Sequence, residues 1–348
     1  MAEFSIGNRK VGGSQPALII AEVAQAHDGS VNFAHAFIDA AAAAGADAVK
    51  FQTHIAAAES SPAEQWRVQF SKQDATRYDY WKRMEFTKDQ WRGLKEHAEE
   101  KGLTFLSSPF SLEAIELLAE IGIRAWKIAS GEVRNEVLLS RLLEMKLPVL
   151  LSSGMSSWSE LEATVKRLES AAVPFLVMQC TSAYPCPPDR VGLNLLSEFK
   201  GRFGCEVGLS DHSGTIWPSV AAVMHGAKAV EVHVTWDRTM FGPDTIASVT
   251  FAELKQMVEG IRFTEKMLNN PVDKEAEAVA MDRMRKMFGQ SLVAAGELSA
   301  GTVIRAEHIA TRKPVAGIPA SEFSSVLGAR LRRNMRAGEF LQYADIEK

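Results

Sequence analysis

Several side chains that can bind an anion lie at the ends of short apolar runs. Lys50 and Lys127 each lie one residue before the end of such a run. Five serines lie at or just beyond run ends: Ser108, Ser130, Ser152, Ser182 and Ser210. Ammonium groups, hydroxyls and backbone N–H groups left accessible by neighbouring glycines together form an anion cradle. These residues therefore predict a site for a small molecule that carries a phosphate and a carboxylate.

Two histidines follow consecutive apolar runs and are candidates for metal binding. His212 follows the run 206–209, and His233 follows the run 229–232. A pair of imidazoles, completed by water and substrate oxygens, can bind a divalent ion such as Zn, Mn, Fe or Ni. A hydrogen-bonded pair of histidines without a metal is the structural alternative.

The remaining runs also end in ionisable or polar side chains. Glu22, Gln52, Tyr184 and Glu231 lie near run ends, and Asp244 lies further along the loop after the last run. A single polar residue at a strand end is ordinarily a solvated cap. Polar ends on every run are hard to explain by solvation alone, so we interpret the set as one functional site.

The apolar runs alternate with longer amphipathic stretches, which predicts strands alternating with helices and parallel pairing. Eight such units predict an α/β protein with a closed (β/α)8 TIM barrel, and an open doubly wound sheet is the alternative. In a TIM barrel the active site lies at the C-terminal ends of the strands, where these polar residues fall. The predicted strands are Ala17–Val23, Ala46–Phe51, Leu103–Ser107, Ala125–Ile128, Pro148–Leu151, Phe175–Met178, Glu206–Leu209 and Ala229–Val232. The predicted helices include Phe33–Ala44, Lys88–Lys101, Leu112–Ile121, Asn135–Met145, Ser159–Ser170, Trp217–His225 and Phe251–Leu268.

Beyond the predicted barrel, residues 1–268, the pattern changes. Residues 269–288 are charged and rich in methionine, which predicts a partly helical linker. Residues 289–348 contain short apolar segments punctuated by glycine, which predicts a small β-rich domain. A domain of roughly sixty residues buries too little surface to be very stable alone, so we expect it to pack on another surface.

Composition narrows the class of protein. The 348 residues carry a formal net charge of −4, which leaves no global basic field for nucleic acid or an anionic membrane. No apolar run has the length of a membrane span, and residues 1–10 lack the apolar core of a signal peptide. The 3 cysteines have no metal-type spacing, which predicts reduced thiols. We therefore expect a cytoplasmic protein.

A series of motifs in order along the chain closely resembles the sialic acid synthases. The motifs are Ala-Glu-Val at 21–23 with His-Asp-Gly at 27–29, Val-Lys-Phe-Gln at 49–52, Lys-Ile-Ala-Ser-Gly-Glu at 127–132, Leu-Ser-Ser-Gly-Met at 151–155, Gln-Cys-Thr-Ser-Ala-Tyr-Pro at 179–185 and Gly-Leu-Ser-Asp-His at 208–212. Residues 291–348 resemble the C-terminal antifreeze-like (SAF) domain of that family. The resemblance covers nearly the whole chain.

The resemblance implies a role for each motif residue. It implies a divalent metal, Mn²⁺ with Mg²⁺ or Co²⁺ as alternatives, on His212 and His233. It implies phosphoenolpyruvate (PEP) on the two lysines and the five serines named above, and an amino-sugar aldose near Glu22, Gln52, Tyr184 and Asp244. It also implies a domain-swapped homodimer in which the SAF domain of one subunit caps the barrel of the other. A basic residue of the cap, Arg312 or Lys313, would reach the sugar.

Two departures from the family pattern bear on which sugar is used. The first loop has Ala26 where the family commonly has Asn, and the cap motif has Lys313 where Arg is usual. Arg and Lys are not interchangeable at a site that needs a two-pronged contact. The sugar therefore stays open between N-acetylmannosamine, its 6-phosphate and a diamino-dideoxy sugar.

The expected reaction joins PEP to an N-acyl-mannosamine-type aldose, forming a nonulosonic acid and releasing phosphate by cleavage of the C–O bond. Glu22 would donate a proton to the new alkoxide, and Glu231 would assist the attacking water. Lys127, together with Lys50, would offset the charge of the departing phosphate.

Two alternatives remain. A related PEP–aldose synthase that makes a shorter 2-keto-3-deoxy acid is disfavoured by the SAF-like tail and by the Ser-Asp-His element at 210–212. A sugar-binding protein of polysaccharide biosynthesis without activity is disfavoured because the catalytic residue types are all retained. Glu22, Lys50, Lys127, His212 and His233 are each present.

Overall fold

A computed structural model describes residues 3–347 of the chain. These residues form two compact units that divide between Asn269 and Asn270. The first unit is built around a sheet of parallel strands, and the second contains short antiparallel strand pairs.

An antiparallel hairpin that the sequence analysis does not predict precedes the barrel. Its strands are β1 (Phe4–Ile6) and β2 (Arg9–Val11). Ile6 and Val11 are fully buried and pack with the interior apolar side chains of the barrel, among them Leu18 at the start of the first barrel strand. The hairpin therefore closes the amino-terminal end of the barrel.

Each of the eight predicted strands is present, and most extend by about two residues beyond the predicted carboxyl end. The strands are β3 (Leu18–Ala24), β4 (Ala48–Thr53), β5 (Thr104–Pro109), β6 (Trp126–Ile128), β7 (Val149–Ser152), β8 (Phe175–Cys180), β9 (Glu206–Asp211) and β10 (Ala229–Thr235). A short strand β11 (Val249–Thr250) extends the sheet beside β10. Almost every residue of these eight strands is buried, as expected for strands covered on both faces.

The sheet closes into a barrel, so the predicted TIM-barrel fold is confirmed and the open sheet is wrong. The strand order is β5-β4-β3-β10-β9-β8-β7-β6, and the two ends of this path, β5 and β6, lie against each other. The register aligns polar residues of neighbouring strands at one height: Glu22 pairs with Lys50 and with His233, and Glu231 pairs with Ser210. The carboxyl ends of the strands therefore bring the predicted site residues together.

Helices on the outside of the barrel follow the strands. They are α1 (Val31–Ala43), α2 (Ala56–Glu59), α3 (Arg77–Met84), α4 (Lys88–Glu100), α5 (Leu112–Glu120), α6 (Glu136–Glu144), α7 (Trp158–Ser170), α8 (Asn194–Phe203), α9 (Trp217–Met224) and α10 (Phe251–Leu268). Thr87, Ser157 and Thr250 begin their helices with capping boxes, which satisfy the first free N–H groups. The seven predicted helices are confirmed.

Three helices of the first unit, α2, α3 and α8, are not predicted from the sequence. Helix α8 begins at Asn194 without a side-chain cap, so the usual start signal is missing. Its buried positions Leu196, Phe199 and Phe203 nevertheless lie on one helical face against the barrel. Tertiary burial of that apolar face, and not a local signal, specifies the helix.

The amino-terminal end of the barrel is held together by Asp47, which precedes β4. One carboxylate oxygen of Asp47 accepts the backbone N–H of Ile19 at 2.8 Å and a guanidinium N–H of Arg262 at 2.6 Å. The other oxygen pairs with Arg9 at 2.8 Å. This one carboxylate therefore connects the hairpin, two barrel strands and the last helix of the first unit.

The second unit begins with two helices and continues as the predicted β-rich domain. The helices are α11 (Lys274–Ala280) and α12 (Asp282–Phe288). They are followed by β12 (Ser291–Ala294), β13 (Ile309–Arg312), the short helix α13 (Phe323–Val326), β14 (Arg330–Leu331) and β15 (Ile346–Glu347). The pairs β12–β13 and β14–β15 are antiparallel, and a small apolar core that includes Leu292, Ile304, Ile318 and Leu341 lies between them.

No helix within residues 3–347 has the length and apolar character required to cross a membrane. The three cysteines, Cys180, Cys186 and Cys205, are all free and buried.

Candidate active site

A cavity of about 350 Å³ opens at the carboxyl ends of the barrel strands. Its size lies at the lower end of the range for small-molecule sites, roughly 300–1,000 Å³. The cavity is lined by every barrel residue for which the sequence analysis proposes a role: Glu22, Lys50, Gln52, Ser108, Lys127, Ser130, Ser152, Ser182, Tyr184, Ser210, His212, Glu231, His233 and Asp244. The fold thus assembles these side chains, while their individual roles stay predictions.

Two buried lysines form the floor of the cavity. The Lys127 ammonium donates to the Ser152 hydroxyl at 2.7 Å and to the Glu231 carboxylate at 3.1 Å. The Lys50 ammonium pairs with Glu22 at 2.8 Å. The lysine side chains are each only 3% exposed, so these cations are almost completely withdrawn from solvent.

Neighbouring charges on the floor shift the pKa of Glu231 and the pKa of Lys50. Burial opposes ionisation of Glu231, but the ammonium groups of Lys127 and Lys50 outweigh it and lower the pKa of Glu231 to about 2. Burial also opposes the charge on Lys50, but the carboxylates of Glu22 and Glu231 outweigh it and raise the pKa of Lys50. Glu231 is therefore a carboxylate and Lys50 an ammonium at neutral pH.

This charged floor is not saturated by internal hydrogen bonds. One oxygen of Glu22 and one oxygen of Glu231 have no hydrogen-bond partner in the described part of the chain. Buried polar atoms in folded proteins are nearly always paired, so unpaired carboxylate oxygens at a cavity floor indicate groups left for a ligand or for water.

A glycine keeps the cradle open between the serines. A Cβ atom at Gly154 would lie 2.5 Å from the Ser130 hydroxyl oxygen and 2.7 Å from the Ser182 hydroxyl oxygen. Both distances are far shorter than any normal contact with a Cβ atom, so only glycine fits between these two hydroxyls. The hydroxyls and the glycine backbone together form the wall opposite Glu22, where an anion would bind.

The two histidines lie beside each other at the mouth, with ring centroids 5.2 Å apart. His212 Nδ1 lies 3.1 Å from the Thr181 carbonyl oxygen, which can only accept, so Nδ1 carries the proton. The bare Nε2 of His212 lies 3.0 Å from the Tyr184 hydroxyl in the cavity. Burial, followed by the nearby His233, lowers the pKa of His212 to about 3, which keeps the ring neutral.

This arrangement fits a metal ligand. A ligating imidazole is neutral, and its second nitrogen usually donates to a carbonyl or carboxylate, as His212 does. The donor set is small, because no group of three or more His, Cys, Asp or Glu residues able to hold an ion occurs within residues 3–347. The two histidines would therefore supply only part of a coordination shell, and waters and substrate oxygens would supply the rest.

A chain of amides connects Glu22 to the outer part of the site. The Gln52 amide donates to Glu22 at 2.8 Å and accepts from the Gln25 amide at 3.0 Å. His54, which the sequence analysis does not include in the site, lies 3.3 Å from the same Gln52 oxygen and is stacked between two aromatic rings. His54 therefore fixes the orientation of a predicted sugar-binding residue without lining the cavity.

The long segment between β4 and α3 contributes lining residues that sequence analysis misses. Arg67 donates to the Asp244 carboxylate at 2.6 Å and to the Pro243 carbonyl at 3.0 Å. Its guanidinium carbon also lies 4.2 Å above the centre of the Tyr184 ring. Arg67 thus contacts two predicted sugar-binding residues, but no periodicity or motif in the sequence singles it out.

The two predicted cap residues belong to the second unit. Lys313 and Arg312 are both exposed. The Lys313 ammonium lies 5.5 Å from the centre of the Phe288 ring, and the Arg312 guanidinium lies next to the backbone of Gly338. Their proposed contact with a sugar stays a prediction.

A TIM barrel whose carboxyl-end cavity holds buried ammonium groups, hydroxyls and a histidine pair is typical of an enzyme that acts on small anionic molecules. A model of the NeuB family matches residues 37–273, and a model of the SAF domain matches residues 289–347. The chain therefore belongs to the NeuB family and is an enzyme of the sialic acid synthase type.

Curated relatives match along nearly the whole chain. The N,N'-diacetyllegionaminic acid synthase of Campylobacter jejuni is 32% identical over 93% of this chain and 98% of its own length. The human N-acetylneuraminate-9-phosphate synthase is 33% identical over 93% of this chain and 90% of its own. A pseudaminic acid synthase of Campylobacter jejuni is 30% identical over 98% of this chain and 99% of its own length. These relatives are nonulosonic acid synthases named for different products.

Solved structures agree with the fold. A sialic acid synthetase from Leptospira borgpetersenii, solved with citrate, is 31% identical with a TM-score of 0.71 over 82% of this chain and 97% of that one. A spore coat polysaccharide biosynthesis protein from Bacillus subtilis is 29% identical with a TM-score of 0.66 over 100% of this chain and 99% of that one. A 3-deoxy-D-arabino-heptulosonate 7-phosphate synthase from Thermotoga maritima, 14% identical with a TM-score of 0.60 over 78% of this chain and 95% of that one, shares the fold alone.

Proposed function

We propose that this enzyme condenses PEP with an N-acylated aldose to give a nonulosonic acid and inorganic phosphate, with cleavage of the C–O bond of PEP. The observation that carries the proposal is the buried floor of Lys50, Lys127, Glu22 and Glu231, which lies beneath a row of serine hydroxyls. Membership of the NeuB family and the products named for its relatives support the same reaction class.

PEP would bind through the floor and the serine wall. Its phosphate and carboxylate would accept from Lys50, Lys127 and the hydroxyls of Ser108, Ser130, Ser152, Ser182 and Ser210. Because both ammonium groups are buried, their attraction for a charge that develops on the phosphate is much stronger than in water. These groups are already oriented before the reaction, so little reorganisation accompanies departure of the phosphate.

The two glutamates would move protons on either side of the new bond. Attack of the PEP methylene carbon on the aldehyde produces an alkoxide, to which Glu22 would deliver a proton. Water then adds at C2 of PEP. Glu231 remains ionised, and its unpaired oxygen would orient that water and accept its proton. Loss of phosphate from the resulting carbon would complete the reaction.

The proposal includes a divalent metal, most simply Mn²⁺, with Mg²⁺ or Co²⁺ as alternatives, held by His212 and His233. When bound, it would supply Lewis-acid polarisation of the aldehyde carbonyl. The neutral ring of His212, with its proton directed to Thr181, supports this assignment. Tyr184 and Asp244, which lie next to the histidines, would orient the aldose hydroxyls.

The proposal also includes a homodimer in which the SAF domain of one subunit caps the barrel of the other, with Arg312 or Lys313 reaching the sugar. The test mixes two inactive variants, Lys127→Ala in the barrel and Lys313→Ala (or Arg312→Ala) in the cap. Shared sites predict recovered activity, because one site of each heterodimer combines unmutated halves. No recovery after demonstrated subunit exchange contradicts the shared site.

The reaction itself is tested with PEP that carries ¹⁸O in the bridging position. Cleavage of the C–O bond predicts that the label leaves with phosphate, which mass spectrometry of the released phosphate detects. The assay requires an added aldose, and omission of the aldose is the control. Label found in the sugar acid contradicts the proposal, and so does phosphate release that does not depend on the aldose.

A further inference from the structure

The outer part of the cavity has a different character from its floor. The segment between β4 and α3 contributes Trp66, Val68 and Phe70 to the cavity wall, and Tyr80 of α3 lies behind them. Met155, from the loop after β7, lines the same cavity. The wall above the charged floor is therefore largely aromatic and aliphatic.

The aromatic side chains of this wall pack against one another. The Trp66 and Phe70 rings meet edge-on with centroids 5.7 Å apart, and Phe70 meets Tyr80 edge-on at 5.1 Å. Tyr80 is buried, and it anchors both rings to α3. Edge-to-face pairs of this kind hold rings in defined positions, so the wall presents a preformed apolar surface.

Core packing does not explain the apolar side chains at the rim. Val68 is 55% exposed and Met155 is 72% exposed, although both line the cavity. Exposed apolar side chains that converge on a cavity indicate a surface that a ligand covers. A sugar with only hydroxyl groups would gain little from such a surface.

The cations in this outer part already have partners. Arg67 is bonded to the Asp244 carboxylate and the Pro243 carbonyl and lies over the Tyr184 ring. Arg77 pairs with Glu64 at 3.1 Å, donates to the Gln65 carbonyl at 3.0 Å and lies 5.1 Å from the Trp81 ring. Each arginine is matched by a carboxylate, a carbonyl and an aromatic face.

The outer wall also lacks the groups that make the floor an anion site. On the floor, serine hydroxyls and the Gly154 backbone surround the ammonium groups and would complete the coordination of a phosphate. In the outer wall the neighbours of the two arginines are aromatic rings, carbonyl oxygens and the carboxylates of Asp244 and Glu64. A phosphate at the far end of an aldose would have to displace Asp244 or Glu64 from its arginine.

We propose that the outer wall, formed by Trp66, Val68 and Phe70, is a subsite for apolar substituents of the aldose. The inference rests on the proposed function. It assigns the aldose to the class of unphosphorylated deoxy sugars with more than one N-acyl group. The acyl methyl groups and the deoxy carbon of such a sugar would cover the apolar wall, whereas a 6-phosphate would not.

The first test compares three aldoses at fixed PEP: a 2,4-di-N-acetylated 6-deoxy aldose of manno configuration, N-acetylmannosamine, and N-acetylmannosamine 6-phosphate. Phosphate release and product mass give kcat/KM for each. We expect the diacylated deoxy aldose to exceed N-acetylmannosamine by about tenfold or more, the usual effect of one or two methyl groups in an apolar pocket. The 6-phosphate should be the poorest substrate.

The outcomes of this comparison separate the inference from the proposed function. If the 6-phosphate or N-acetylmannosamine is used best, the inference is overturned and the proposed function stands. If none of the aldoses releases phosphate while the protein is folded and supplied with Mn²⁺, the proposed function fails and the inference fails with it.

The second test changes the wall without disturbing the core. Val68→Asp places a charge on an exposed position, so folding should be unaffected. The same change at Val137, a 65% exposed valine on α6 outside the cavity, is the matched control. Val68→Asp should lower kcat/KM for the diacylated aldose by about tenfold and leave the KM for PEP unchanged, while Val137→Asp changes neither. Equal effects of the two substitutions would overturn the subsite.

Discussion

Charged side chains occupy both ends of the barrel, and the two ends use them differently. At the amino-terminal end, both oxygens of Asp47 are engaged by a backbone N–H and by two partly exposed arginines. At the carboxyl end, Glu22 and Glu231 face two buried ammonium groups, and each keeps one oxygen unpaired in the part of the chain that the structure describes.

The charged groups at the two ends of the barrel therefore have different roles. Partly exposed ion pairs contribute little by themselves, but Asp47 also accepts the N–H of the buried residue Ile19 and so connects separate elements of the fold. Buried charges with incomplete hydrogen bonding lower the stability of the folded state, because desolvation is only partly offset. The charged groups at the carboxyl end therefore lower the stability of the folded protein. An anionic ligand and a water molecule would supply the hydrogen bonds that these groups lack. We expect substitutions at the carboxyl end to lower activity more than stability, and substitutions at the amino-terminal end to lower stability more than activity.

The largest effect is expected at the floor of the cavity. Lys127→Met removes the cation that lies between Ser152 and Glu231. Turnover should fall roughly 10²- to 10³-fold, the usual loss when one preorganised charge stabiliser is removed. The measurement is aldose-dependent phosphate release. Lys95→Met, which removes a largely buried lysine paired with Glu99 on α4, is the control and should retain activity. Activity within a few-fold of wild type in Lys127→Met would refute the role of the floor.

A large effect is also expected at the histidine pair. His212→Ala should lower the affinity for Mn²⁺ at least about a hundredfold. Loss of a residue that only hydrogen-bonds to a metal ligand commonly lowers metal affinity 10–100-fold, and loss of the ligand itself should cost no less. Calorimetric titration with Mn²⁺ measures the loss, and circular dichroism should show an intact fold. His225→Ala, at the end of α9, is the control. Full activity of His212→Ala after treatment with a chelator would exclude the metal assignment.

The next effect concerns the shape of the cradle. Gly154→Ala places a Cβ atom against the hydroxyls of Ser130 and Ser182. Overpacking of this kind costs roughly 1–3 kcal/mol. Because the added methyl group would displace the hydroxyls that bind PEP, we expect the main effect to be a higher KM for PEP. Gly93→Ala on α4 is the matched control, because Gly93 lies outside the cavity and its Cβ would meet no heavy atom within 4 Å among residues 3–347. A similar KM for PEP in the two variants would argue against a cradle between the serines.

A smaller effect is expected at Arg67, which holds Asp244 and covers Tyr184. Because the side chain is partly exposed, we expect Arg67→Ala to lower kcat/KM for the aldose by only about fivefold. The KM for PEP should not change. Arg67→Lys keeps the charge but loses the planar fork, so it should fall between wild type and Arg67→Ala. An unchanged kcat/KM for the aldose would contradict a role of Arg67 in aldose binding.

The smallest effect on catalysis is expected at the amino-terminal end. Asp47→Ala leaves the Ile19 N–H and two arginines without their acceptor. The free energy of unfolding should fall by about 1–3 kcal/mol, as measured by chemical denaturation. The kcat of the folded enzyme should match the wild type. A loss of kcat comparable to that of Lys127→Met would show that the two ends of the barrel are not independent.

The barrel, the small β-rich domain and the polar residues at the carboxyl ends of the strands could be predicted from the sequence alone. Eight apolar runs with longer amphipathic stretches between them specify parallel strands buried on both faces. In a barrel, the residues that end those runs must meet at one rim. Lys50, Lys127, Glu22 and the histidines could therefore be grouped before their distances were known.

The pairing of these groups and their surroundings, in contrast, follow from the way the chain folds. Lys127 meets Glu231 across 104 residues of chain, and Arg67 meets Asp244 across 177. The hairpin at the amino end, helix α8 and the aromatic wall also lack a local signal. Pairings over such distances depend on how the barrel closes and where a long loop folds back. Hydrophobic periodicity reports only which face of an element is buried, and it carries no information about contacts between distant segments.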